Sequence, residues 1–115
     1  MKIALPSSMP GGLDATLNPH FGRTQVFTIV NIEEKEIKDV TTLHQEGPHS
    51  CAGIVGLIKS SGVDIVIVGG IGGRPLTVMY QSGIKVYSGS TGTVRELVKA
   101  FLNEELQEIN QSTCL

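Results

Sequence analysis

The second half of the chain alternates strand and helix patterns, and this alternation constrains the fold more than any other feature. Residues 63–68 are a nearly continuous run of β-branched apolar residues, which is typical of a strand covered on both faces. Residues 84–87 form a second, shorter strand pattern. Helical patterns precede, separate and follow these strands. Because a strand–helix–strand unit joins parallel strands by a right-handed crossover, this half predicts a parallel sheet with helices packed on it.

The first predicted helix has an apolar stripe at positions i, i+3, i+4 and i+7, formed by Cys51, Ile54, Val55 and Ile58. Gly62 is expected to end it. The second helix has Pro75 in its first turn and ends at Gly83, and its inward face would be Leu76, Met79 and Tyr80. In the third helix Thr93 and Glu96 form a capping box, in which each side chain satisfies a free backbone donor.

The first half of the chain predicts three strands. Residues 2–5 are expected to form a strand that Pro6 stops. Residues 26–32 and 37–43 are rich in β-branched residues and predict an antiparallel hairpin. The whole pattern predicts a three-layer α/β fold with a mixed five-stranded sheet, in the order β-β-β-α-β-α-β-α.

The composition excludes several classes of protein. With 40% hydrophobic and 17% charged residues the 115-residue chain is expected to form one globular domain. The net charge of −2, with scattered basic residues, argues against nucleic acid as a partner. No apolar run approaches the roughly 18 residues of a membrane span. No export signal is visible, so the expected location is cytoplasmic.

The histidines collect in segments that are predicted to approach one edge of the sheet. Ligands of such sheets bind outside the carboxyl ends of parallel strands, near helix N-termini. That edge is expected to hold the long loop 6–24, the glycine run 69–73 and the loop 88–92, with segment 44–50 leading to a helix start. All three histidines lie in or beside these segments: His20, His44 and His49.

The glycine run ends on Arg74 and forms a candidate anion site. It is not a dinucleotide fingerprint, because Pro75 stands where the third glycine belongs. A helix N-terminus lined by Gly70 and Gly72, with Arg74 at its mouth, would bind an anion through backbone N–H groups. A tight strand-to-helix turn would explain the same glycines.

His49 and Cys51 are potential metal ligands spaced two residues apart. Cys51 equally completes the helix stripe as a small buried hydrophobe. His44 is expected to be solvated at a strand end, and Cys114 to lie in a loosely held tail. No closed zinc site and no Ser–His–Asp arrangement is visible, so no residue is assigned a catalytic role.

Five segments together resemble the dinitrogenase iron–molybdenum cofactor biosynthesis family, which comprises NifX-like domains and the similar C-terminal domain of NifB. They are MKIA at the start, HFGR at 20–23, VIVGGIGGRP at 66–75, GIKVYSG at 83–89 and GTVRELVKAFL at 92–102. The resemblance implies a ribonuclease H-like fold, with a NifX-like domain at residues 1–106 and a polar tail at 107–115.

The resemblance also implies a non-enzymatic carrier of an iron–sulfur or iron–molybdenum cofactor precursor. The family's HFG histidine, here His20, would hold a metal of the cluster. Gly22 would let the backbone approach the cluster closely, and Arg23 would balance the cluster's negative charge. Thiolate suits iron–sulfur clusters, so Cys51 is the expected second ligand, with His49 beside it. Cluster donor or acceptor proteins would be its partners.

Other interpretations of the same residues stay open. In the first interpretation, the HFGR motif is only structural: Phe21 anchors the loop on the core while His20 and Arg23 face water. A regulatory domain would bind a small anion or a partner protein through the glycine loops. An enzyme is the third interpretation, although the clustered acidic residues that a ribonuclease needs to hold two Mg²⁺ are missing.

Overall fold

The computed structural model describes residues 1–19, 21, 24–44, 51–71, 73–89 and 92–109. The elements are β1 (Lys2–Ser7), β2 (Val26–Glu33), β3 (Glu36–His44), α1 (Cys51–Ser60), β4 (Ile65–Val68), α2 (Gly73–Gln81), β5 (Lys85–Ser88), α3 (Val94–Leu102) and β6 (Gln107–Glu108). Within these ranges no helix is long and apolar enough to cross a membrane.

The sheet is mixed and has six strands in the order β3-β2-β1-β4-β5-β6. β1, β4 and β5 are parallel, whereas β2, β3 and β6 are antiparallel to their neighbours. The prediction of five strands was wrong, because β6 lies in the segment predicted to be a tail. A polar two-residue strand has no recognisable period. Contacts distant in sequence hold it, including a 2.8 Å bond from Ile109 N–H to the Val86 carbonyl.

Helices cover both faces of the sheet, which gives three layers. One core cluster joins α1 and α2 to the sheet and contains Ile54, Ile58, Leu76, Met79, Val66 and Val68. The other joins α3 and part of the 6–24 loop to the opposite face and contains Val94, Leu97, Val98, Ala15, Leu17 and Ile67. All four residues of β4 are buried, as predicted for a strand covered on both faces.

The first strand continues through Pro6 to Ser7, which corrects the prediction that Pro6 stops it. Proline lacks an N–H, so it is tolerated in a sheet only where no ladder bond is lost. The Pro6 carbonyl accepts a 2.8 Å bond from Asn18 N–H, on the side of β1 away from β2. The nitrogen of the same residue points to that side too, so its pairing with Phe27 in β2 needs no donor from Pro6.

The helix ends agree with the capping residues. Gly62 and Gly83 follow α1 and α2 with φ of 79° and 80°, the left-handed conformation that favours glycine. α3 has the predicted capping box of Thr93 and Glu96. The inward face predicted for α2 is wrong at Tyr80, which is 36% exposed. The Tyr80 side chain does not pack in the core, because its hydroxyl donates a hydrogen bond to the Ile109 carbonyl beside β6.

Candidate functional site at the β1–β4 crevice

β1 and β4 are neighbouring parallel strands whose outgoing chains leave to opposite faces of the sheet. They pair only at Ile3–Ile65 and Ala4–Val66, so they are no longer paired beyond these positions. After β1 the chain packs Ala15 in the cluster beneath α3, whereas after β4 it packs Ile71 in the cluster beneath α1 and α2. Such a switch point creates the crevice in which open α/β sheets bind ligands. It is called the β1–β4 crevice below.

The end of the long loop lines this crevice. Residues 17–19, the returning limb, run back along β1, with a bridge between Leu17 and Ser7. The limb then crosses Gly69 so closely that a methyl carbon on Gly69 would lie 3.3 Å from Pro19 Cα. Pro19 is therefore held against the first residue after β4. Gly69 was not among the predicted site residues, although its position directly after an apolar strand is the signal that points to it.

Phe21 fixes the chain on the far side of position 20. Its ring is 3% exposed and packs edge-on against Phe27, with ring centroids 5.6 Å apart. Its carbonyl accepts a 3.3 Å bond from Thr24 N–H. The described residues on either side of His20 are thus anchored, one at the crevice and one in the core. Phe21 is anchored on the core, as one interpretation of the HFGR motif expected.

Most of the predicted site residues lie outside the part of the chain that the structure describes: His20, Gly22, Arg23, His49 and Gly72. Cys51 and Arg74 are described as helix backbone, at the starts of α1 and α2. Gly70 is described and half-buried beside the crevice. Their assignment as cofactor-binding or metal-binding residues stays a prediction.

The N-terminus of α3, near the same edge, already has its backbone donors paired. Val94 N–H donates to the Ala15 carbonyl over 2.9 Å, and Arg95 N–H to the Leu13 carbonyl over 3.0 Å. Glu96 N–H donates to Thr93 Oγ1 over 3.2 Å. The long loop and Thr93 therefore occupy the donors that an anion at this helix start would need.

The carboxylate of the capping box is electrostatically tuned. Thr93 N–H donates to Glu96 Oε1 over 3.0 Å, and the Thr93 hydroxyl donates to the same oxygen over 3.0 Å. These bonds favour the ionised form, so the pKa of Glu96 lies below its ordinary value, with the backbone bond the larger cause. This charge stabilises the start of α3, where the helix dipole favours an anion.

A metal centre is not assembled from the described side chains. Among them no three His, Cys, Asp or Glu residues come together as possible ligands. His44 is exposed at the end of β3, as predicted, and its Nε2 lies 3.4 Å from Thr42 Oγ1. Cys114 lies outside the described residues.

Comparison with known proteins identifies the family. The family model for the dinitrogenase iron-molybdenum cofactor matches residues 1–104. An uncharacterised protein of Methanocaldococcus jannaschii, MJ0580, is 37% identical over 112 residues, which cover 94% of this chain and 91% of that protein. The chain belongs to the dinitrogenase iron-molybdenum cofactor family, and this membership links it to the biosynthesis or binding of that cofactor.

Solved structures agree with the fold. The crystal structure of PH0822 is similar with a TM-score of 0.83 and 30% identity, over 96% of this chain and 97% of that one. The NMR structure of TM1290, a candidate NifB protein from Thermotoga, is similar with a TM-score of 0.82 and 25% identity, over 98% and 97% of the two chains. Both likenesses extend over nearly the full length.

Proposed function

We propose that this protein is a non-enzymatic carrier for an iron–sulfur or iron–molybdenum cofactor precursor, which it holds at the β1–β4 crevice near the HFG motif. Family membership supports the class of cargo. The observation that carries the location is the double anchoring of the chain around position 20, with Pro19 against Gly69 and Phe21 in the core. His20 is covalently bonded to both anchored residues.

The chemistry of the donor set fits such a cargo. The imidazole of His20 suits iron, and the thiolate of Cys51 suits an iron–sulfur cluster. His49 is the third metal ligand of this proposal. Gly22 would admit the cargo close to the backbone, and Arg23 would offset its negative charge.

The glycine run would contribute on the α2 side of the crevice. Gly70 and Gly72 would bring backbone N–H groups to an anionic cargo, with Arg74 as a countercharge. A cytoplasmic location, proteins that donate or accept the cluster as partners, and the ribonuclease H-like assignment of the fold belong to the same proposal.

The test is an anaerobic titration with an iron–sulfur or iron–molybdenum precursor, followed by its visible absorption. We expect His20→Ala and Cys51→Ala to weaken binding at least about tenfold, because losing even a hydrogen-bond partner of a metal ligand costs about 10–100-fold in affinity. His44→Ala is the matched control, because this histidine is exposed at the end of β3 and its removal should leave the affinity unchanged.

Equal binding by wild type, His20→Ala and Cys51→Ala would remove the proposed ligands. A small-anion regulatory domain predicts a different result, in which Arg74→Ala weakens binding of inorganic phosphate and metal makes no difference. Turnover of a substrate that depends on His20 would instead establish an enzyme.

A further inference from the structure

A buried chain of hydrogen bonds joins the long loop to the sheet beside the crevice. Ser7 and Thr28 are polar yet only 2% and 0% exposed. Ser7 Oγ lies 2.7 Å from the Leu5 carbonyl and 2.8 Å from Thr28 Oγ1. Gly12 N–H lies 3.0 Å from Thr28 Oγ1. We call this chain of four residues the Thr28 relay.

The direction of every bond in the relay follows from the donor inventory. The Leu5 carbonyl can only accept, so it takes the single hydroxyl proton of Ser7. Ser7 then has no proton left for Thr28, and the Thr28 hydroxyl must be the donor between the two. Thr28 Oγ1 in turn accepts from Gly12 N–H. The Thr28 hydroxyl therefore donates to Ser7 Oγ and accepts from Gly12 N–H, and no other group of the relay can replace it in either bond.

The loop apex that the relay holds fits tightly on the sheet. Gly11 and Gly12 have φ of 85° and 100°, where only glycine is unstrained. A methyl carbon on Gly11 would lie 2.9 Å from Thr42 Cγ2 and 3.1 Å from Val26 Cγ2. The apex is thus seated against β2 and β3.

The apex is also bonded to the strand-like end of the loop. Ala15 N–H donates to the Gly12 carbonyl over 3.2 Å, and Ser8 N–H to the Thr16 carbonyl over 2.9 Å. Thr16 leads directly into the returning limb, where Asn18 N–H bonds the Pro6 carbonyl. A displacement of Gly12 therefore has a short bonded path to the residues that precede His20.

We propose that Thr28 is a positioning residue of the crevice, whose hydroxyl holds the returning limb in place through Gly12. Thr28 does not touch the cargo in this account. Its consequence for cluster binding rests on the proposed function, whereas its effect on the limb does not. A hydroxyl buried in a strand of the sheet thereby sets the geometry of a loop that ends at the HFG motif.

Four substitutions separate positioning from ordinary core packing. Thr28→Val keeps the shape of the side chain and removes the hydroxyl, and Thr28→Ser keeps the hydroxyl. Ser7→Ala removes another member of the relay yet leaves Gly12 N–H its acceptor. Thr41→Val is the matched control on β3, at an exposed threonine. Should Thr28→Val not fold, Thr28→Ala removes the same hydroxyl without added bulk.

The first readout is amide hydrogen exchange by NMR in the protein without cargo. The loss of its acceptor leaves Gly12 N–H unpaired, and we expect its exchange to be about tenfold faster in Thr28→Val. Positioning further requires that Leu17 and Asn18 also exchange faster in Thr28→Val, and that they stay near wild type in Thr28→Ser, Ser7→Ala and Thr41→Val. Faster exchange at Gly12 alone, or no change at all, overturns the inference.

The second readout is anaerobic binding of the cluster precursor. Thr28→Val is expected to bind about tenfold more weakly than wild type, with Thr28→Ser close to wild type. A Thr28→Val protein with a mobile limb and unchanged affinity would overturn the link to the site. If wild type binds no cluster, the proposed function fails, and the exchange of Leu17 and Asn18 still decides whether Thr28 positions the limb.

Discussion

The same substitution, glycine to alanine, should have opposite effects at Gly89 and Gly56. Gly89 is buried between the end of β5 and α3, where a methyl carbon would lie 2.9 Å from Ile67 Cγ2 and 3.1 Å from Leu97 Cδ2. Carbon atoms in good contact are about 3.5–4.0 Å apart, so both neighbours would have to move. Such overpacking of a well-filled core costs about 1–3 kcal/mol.

Gly56 offers the matched control. It lies in the middle of α1, is exposed, and has no atom within 4 Å of the added methyl carbon. Glycine in a helix interior is about 0.5–1 kcal/mol less favourable than alanine, so Gly56→Ala should stabilise the protein by that amount.

Urea unfolding followed by circular dichroism measures both free energies of unfolding. The free energies of unfolding of the two variants should differ by about 1.5–4 kcal/mol, and their dependence on urea concentration (the m-value) should equal that of wild type. A Gly89→Ala protein as stable as wild type would refute the close packing of β5 on α3. A Gly56→Ala protein that loses stability would show that the outer face of α1 is not open.

Three further changes test single contacts. Gly69→Ala should displace the returning limb and weaken cluster binding several-fold while changing stability by less than about 1 kcal/mol, since one contact of 3.3 Å needs only a small shift. The pKa of Glu96 is lowered from 4.5, so the ionised carboxylate stabilises the folded state above pH 4.5 and this stabilisation is lost as the pH falls through the folded-state pKa. The free energy of unfolding of Glu96→Gln, measured across pH 3–7, should lack this loss. Tyr80→Phe should speed amide exchange at Ile109, because it removes the hydroxyl that donates to the Ile109 carbonyl. Desolvation and Glu108 raise the pKa of Tyr80 above 10.0, so the hydroxyl stabilises the folded state below pH 10 and this stabilisation is lost as the pH rises through the folded-state pKa.

Local signals predicted the regular elements well where packing and sequence period agree. The continuous apolar run of β4, the capping box at Thr93 and the glycine after each of α1 and α2 all lie where the residues indicated. These features depend on residues within a few positions of one another, so the sequence carries them directly.

The features that sequence reasoning missed depend on distant partners. β6 exists because β5 and Tyr80 supply hydrogen bonds to a short polar segment. Pro6 remains in a strand because its nitrogen faces away from β2, on the side where the returning limb, twelve residues later, bonds its carbonyl. The Thr28 relay joins four positions spread over 24 residues, and no period marks it.

The candidate site was predictable as an edge of the sheet rather than as a set of contacts. The position of glycines and histidines after apolar strands pointed to the carboxyl ends of the parallel strands, where the crevice lies. The closeness of Pro19 to Gly69 could not be predicted, because it depends on how the long loop folds back. The ligand assignments at His20, His49 and Cys51 remain predictions that only binding experiments test.

Paramagnetic broadening of amide signals is the most direct test of where the cargo lies. A paramagnetic iron–sulfur cluster bound by the protein broadens the NMR signals of nearby amides. The account predicts strong broadening at Phe21, Gly69 and Ile71, which line or adjoin the crevice, and sharp signals at Gly62 and Gly83, which follow α1 and α2 at the opposite edge. Broadening centred on Gly62 and Gly83, or spread evenly over the protein, would contradict the account.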